Sequence, residues 1–110
     1  MSDFIVDQVG PGGLVCVFED DGSTGYLYLY EPDGRGVVED LLIYNRAQEL
    51  NVQEGDVKVF WSTDGSKCAV SIWNGIRGII DLKRNEKFCS RLESRDTAPI
   101  RDPMWLTDFP

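Results

Sequence analysis

A chain of 110 residues, 42% hydrophobic and 27% charged, has the size and composition of one soluble domain with a single core. It has no histidine, and Cys16, Cys68 and Cys89 lie far apart with no C-x-x-C spacing, which removes Ser-His and Cys-His nucleophilic devices and the common zinc sites. The net charge of −8 is uneven: residues 1–56 carry twelve acids against Arg35 and Arg46, a balance of −10, whereas residues 57–110 carry nine bases against seven acids, a balance of +2.

The opening residues, Met1-Ser2-Asp3-Phe4-Ile5, are acidic and predict no signal peptide. No apolar run reaches the length of a membrane span. With an odd cysteine count, this predicts free thiols and a cytoplasmic location. Residues 3–9 and 14–19 are short and β-branched, parted by Gly10-Pro11-Gly12-Gly13, and read as two strands. In residues 14–19, Cys16 reads as a small core hydrophobe, as does Cys68 further on. Residues 25–31 alternate strictly, with Tyr26, Tyr28 and Tyr30 on one face and Leu27 and Leu29 on the other. The turn Asp20-Asp21-Gly22-Ser23-Thr24 makes a hairpin of residues 14–31. Residues 37–44 fit a strand, with a helical turn or loop following within residues 40–50.

Residues 57–61 alternate again, and Thr63-Asp64-Gly65-Ser66 supplies a turn. A strand over residues 67–73 puts Cys68, Val70 and Ile72 on one face, and Asn74-Gly75 is a strong type I′ hairpin signal. Strands over 76–82 and 86–91 complete an antiparallel meander of four. The segment Trp61-Ser62-Thr63-Asp64-Gly65 is similar to the blade motif of β-propellers. A single copy in so short a chain excludes a propeller within one subunit.

Residues 93–110 hold Pro99, Pro103 and Pro110 and show no periodicity. Met104, Trp105, Leu106 and Phe109 are costly to leave in water, at about 1.5–3 kcal/mol per large side chain, so this extended tail is expected to dock, on its own sheet or on another chain. The chain therefore divides into a β domain over residues 1–94 and a tail over residues 95–110. The expected architecture is mainly β: an antiparallel sandwich or open barrel of seven or eight strands with at most one short helix.

Little catalytic chemistry is on offer. No phosphate-cradling glycine motif occurs, and Glu19-Asp20-Asp21 reads as a solvated turn because the EF-hand spacing of acids is absent. No cofactor, metal or catalytic residue is expected. The acidic half repels nucleic acid and favours a basic protein. The tyrosine stripe lies between two acidic turns, and an aromatic surface rimmed by carboxylates suits arginine- and lysine-rich partners. The candidate partner-binding residues are Glu19, Asp20, Asp21, Tyr26, Tyr28, Tyr30, Glu31 and Asp33.

The run from Val57 to Leu82, with Phe18-Glu19-Asp20-Asp21-Gly22-x-x-Gly25-Tyr26 and Leu42-Ile43-Tyr44-Asn45, resembles a small uncharacterised bacterial family, domain of unknown function 2251, over residues 14–90. The resemblance implies a bacterial cytoplasmic protein with no established activity. In size and acidity the chain is also similar to immunity proteins, many of which neutralise basic nuclease toxins. The expected function is a non-enzymatic acidic binding module of that kind. The alternatives are a homo-oligomeric structural protein joined through its tail, or a small ligand-binding protein.

Overall fold

The computed structural model describes residues 3–46 and 50–109. Eight strands follow one another: β1 (Phe4–Val9), β2 (Val15–Asp20), β3 (Thr24–Glu31), β4 (Gly36–Asn45), β5 (Val57–Trp61), β6 (Lys67–Ile72), β7 (Gly75–Asp81) and β8 (Glu86–Cys89). One four-residue helix, α1 (Pro103–Leu106), closes the chain. The strands form two four-stranded sheets in the orders β1-β2-β3-β4 and β5-β6-β7-β8, every neighbour antiparallel. The fold is thus two meanders laid face to face, an open sandwich with no closed barrel. Strand β1 packs against β5, and β4 against β7 and β8.

Period-two alternation decides what lies between the sheets. Cys16, Phe18, Leu27, Leu29 and Tyr44 lie on the inward parity of the first sheet, Ile43 joins them at a register shift in β4, and all six are fully buried. Val57, Val59, Cys68, Val70, Ile72 and Ile80 answer them from the second. Cys16 and Cys68 meet across the core as free thiols. Contact with Cys68 and burial both push the Cys16 thiol far above its ordinary value, so Cys16 is not a usable nucleophile.

The second sheet is covered on its other face as well. Residues 93–109 run across it in cis, placing Ile100, Trp105, Leu106 and Phe109 against Ala69, Ile79, Phe60 and Ile76. Trp105 stacks on Phe88 at 5.3 Å between centroids, and Phe60 meets Phe109 edge to face at 5.4 Å. Polar anchors fix the path. The Ile100 amide donates to the Ile76 carbonyl at 2.9 Å. The Lys67 ammonium donates to the Thr107 and Trp105 carbonyls, and the Arg77 guanidinium to the Thr97 carbonyl. Both faces of β6 are therefore buried along its whole length.

Two expectations need correction, and a third is left open. The tail is not wholly extended, because Asp102 caps a helical turn: its Oδ1 accepts the Met104 amide at 2.9 Å, with Pro103 in the first position. Strand β4 runs to Asn45, close to the expected end near 44, and of the segment to residue 50 where a helical turn or loop was expected, residues 47–49 lie outside the described residues. The β6–β7 turn is built from Trp73 and Asn74, with φ of 53° and 65°, rather than from Asn74 and Gly75. The tail explains the shift. A Cβ on Gly75 would lie 2.7 Å from Pro99 Cβ, so the glycine is used for close approach in the strand and not for the turn.

Candidate protein-binding face

Among the described residues, the tail does not cover the first sheet's outer face. Registry places Ile5, Asp7 and Val9 of β1 beside Val15, Val17 and Glu19 of β2, then Tyr26, Tyr28 and Tyr30 of β3, then Val37, Asp40 and Leu42 of β4. Of these, Ile5, Val9, Tyr30, Val37 and Leu42 are exposed, five of the eight large hydrophobic side chains so exposed among the described residues. Concentration of exposed apolar side chains on one face marks an interaction surface far better than scattered ones do.

The face is also acidic. The four strands contain no lysine or arginine. Asp7, Glu19 and Asp40 punctuate the apolar and aromatic side chains. The Tyr28 hydroxyl donates to Glu19 Oε1 at 3.0 Å, and the Tyr26 and Tyr28 rings lie 5.8 Å apart. Burial, then the hydrogen bond to Glu19, pushes the Tyr28 phenol up to about 12. Burial, followed by the fields of Glu19, Asp21 and Asp40, raises the Tyr26 phenol too. Three carboxylates thus act on one ring.

Of the residues singled out in the sequence, Glu19, Tyr26, Tyr28 and Tyr30 share this face. Asp21 sits at its β2–β3 end, where its Oδ1 accepts the Ser23 and Thr24 amides at 2.9 and 2.8 Å. Those bonds hold its carboxyl below the usual range. Asp33 lies in the β3–β4 turn at the opposite end, about 25 Å away along an eight-residue strand, so the two acidic turns cannot form one site. Glu31, near Asp33, is paired with Arg35 at 3.0 Å.

Asp20 must be removed from the surface set. It is 0% exposed, on the inward parity of Cys16 and Phe18. Its carboxylate accepts the Tyr44 hydroxyl, Arg46 Nε at 2.8 Å and the Gly22 amide at 2.9 Å. Arg46 also reaches Asp3 at 2.8 Å. The expected solvated turn is therefore half solvated: a buried ion pair closes one end of the sandwich while Asp21 caps the loop outside it. Sequence reading missed Asp7 and Asp40, which the alternation of β1 and β4 would have revealed.

The sheet presents its face and not its edges. Trp61 Nε1 donates to the Gln8 carbonyl on the β1 edge at 3.0 Å. On the β4 edge, the Leu92 amide donates to the Ile43 carbonyl at 2.9 Å, Lys87 Nζ to the Asp40 carbonyl at 2.9 Å and the Cys89 thiol to the Leu42 carbonyl at 3.2 Å. Burial pushes the Cys89 thiol up to about 11, outweighing the opposing field of Arg91, so it is no activated nucleophile. Strand addition by a partner is blocked at these points.

Fold and face together define a class: a small two-sheet antiparallel sandwich with one sheet face sealed by its own tail and the other open, aromatic and acidic. Within it, the chain belongs to the family of uncharacterized proteins conserved in bacteria known as domain of unknown function 2251, whose pattern matches residues 3–108. That match takes in most of the tail, beyond the 14–90 span of the motifs that suggested it. No curated protein and no solved structure matches the chain.

Proposed function

We propose that this chain is a non-enzymatic binding module whose open first-sheet face receives a basic protein. One observation carries the reading: exposed Ile5, Val9, Tyr30, Val37 and Leu42 share a face with Asp7, Glu19 and Asp40, on four strands without a single base. An apolar and aromatic surface supplies the area to bury. Carboxylates among the rings steer and orient a cationic partner and penalise an acidic one. The partner class we favour is a basic nuclease-type toxin. The protein would act as its immunity protein, covering a cationic active site with carboxylates where the substrate's phosphates would lie. With the tail engaged in cis, the open face and not the tail is the surface left for such a partner.

Calorimetric titration against the basic proteins encoded beside this chain's gene tests the proposal. Binding should weaken as salt rises, and E19Q and D40N should each reduce it while leaving the fold intact. Absence of salt-sensitive binding to any basic neighbour, or binding indifferent to both substitutions, refutes it.

A further inference from the structure

At the Trp73–Asn74 turn, two local costs coincide with a cation that has no ion pair among the described residues. Trp73 occupies the left-handed region with φ 53°, a conformation that costs a non-glycine residue about 1–2 kcal/mol. Its indole N–H is shut off from solvent, and it is the one buried side-chain nitrogen or oxygen among the described residues without a hydrogen-bond partner. An orphaned buried donor costs about 1–3 kcal/mol. Finally, the Arg95 guanidinium lies 4.1 Å over the Trp73 ring and makes no ion pair among the described residues, although the chain is strongly acidic.

These residues border a hollow of about 320 Å³, lined also by Lys58, Ser71, Asn74 and Asp56. Lys58 is exposed on β5 directly opposite Ser71 of β6, and it too lacks an ion pair among the described residues. The single carboxylate on the wall, Asp56, is already engaged with the backbone. Its Oδ2 accepts the Gln53 amide at 3.0 Å, while its carbonyl accepts the Trp73 amide at 3.1 Å. Two cations without an ion pair among the described residues, a hydroxyl and a carboxamide therefore line one concavity. That inventory is rich in donors and suits oxyanions.

We infer that this hollow is a binding site for a small phosphate-bearing anion, with Lys58 and Arg95 holding its oxygens and Ser71 and Asn74 as neutral donors. The site lies on the second sheet's half of the chain, independent of the open face of the first. Arg95 is part of the cover over the indole. An anion that draws the guanidinium away uncovers the ring, so occupancy is coupled to the environment of Trp73.

The test titrates the whole protein with inorganic phosphate at constant ionic strength, with chloride as the comparison, reading heat and indole fluorescence. A saturable response is expected with phosphate and none with chloride. K58Q and R95Q should each weaken binding about tenfold, the loss of one charge-assisted contact, and R101Q, an exposed tail substitution away from the hollow, should leave it unchanged. W73F should lose the fluorescence response. O-phosphoserine titrated in parallel identifies the source: tighter binding than phosphate assigns the site to an organic monoester, and equal binding assigns it to the free ion. A response that never saturates, or that saturates equally well in K58Q and R95Q, overturns the inference.

Discussion

Replacing Asp20 with alanine should cost far more than a surface acid is worth. Its carboxylate is the acceptor for Tyr44 Oη, Arg46 Nε and the Gly22 amide. The three donors differ in what they can recover. Gly22 is exposed and Arg46 is 30% exposed with Asp3 as a second partner, so water and Asp3 can take up both. Tyr44 is 0% exposed, and its hydroxyl is left stranded. Removing one member of a buried ion pair costs about 3–5 kcal/mol, and the solvent access of Arg46 places D20A near the lower end, about 3 kcal/mol. For a domain of this size that is a fall in melting temperature of about 12 °C. Y44F, which removes one hydrogen bond to a charged group and keeps the ring, should cost about 2 kcal/mol. In D20A/Y44F no hydroxyl is stranded, so the double variant should be more stable than the two single losses add up to, by about 1–2 kcal/mol. Urea unfolding of the four proteins measures the cycle. If D20A falls within about 0.5 kcal/mol of the parent, as an ordinary surface substitution would, the buried ion pair described above is wrong.

Two further outcomes follow from the same packing. Gly25→Ala should destabilise by about 1–3 kcal/mol in thermal melts, because a Cβ there would lie 2.4 Å from Tyr44 Cζ and 2.8 Å from Phe18 Cζ, and neither ring has room to retreat. Asp64 accepts the Ser66 amide at 3.0 Å and the Ser66 and Ser62 hydroxyls at 2.8 Å each, with the Ser66 amide the largest contributor in holding its carboxyl down at about 2. A carboxyl depressed in the folded state adds stability above its unfolded value near 4 and loses it as pH falls through about 2. The gap in melting temperature between the parent and D64A should therefore be constant above pH 5, narrow between pH 4 and 2, and level off below that. A gap independent of pH rules out the charge as its source.

Much of the architecture is legible in the residues because the turns are. Asp-Gly at 21–22 and 64–65, set between alternating runs, fixes two hairpins, and the Tyr26 to Tyr30 alternation assigns both faces of β3. The same alternation, carried through β2 from Cys16 and Phe18, puts Asp20 inside. A cluster of three acids suggests water more loudly than parity suggests burial, and only the Tyr44 and Arg46 side chains, more than twenty residues away in sequence, make an inward carboxylate tolerable. The Trp73–Asn74 turn fails for a related reason. Local preference favours Asn-Gly, but Pro99 needs the space beside Gly75, and that contact belongs to the tail. How the two meanders stack is set by side-chain contacts between halves of the chain, which no local signal encodes.

The plugged edges of the first sheet bear on how this protein can change over time. With Trp61 closing one side and Leu92, Lys87 and Cys89 the other, a visitor finds few main-chain groups to pair with and must be recognised by side chains. Those side chains occupy largely alternate positions along β1 to β4, and the intervening positions supply the first sheet's share of the interior. Selection can therefore rewrite every second residue of four strands, acquiring one binding preference and discarding another, while the scaffold beneath stays as it was.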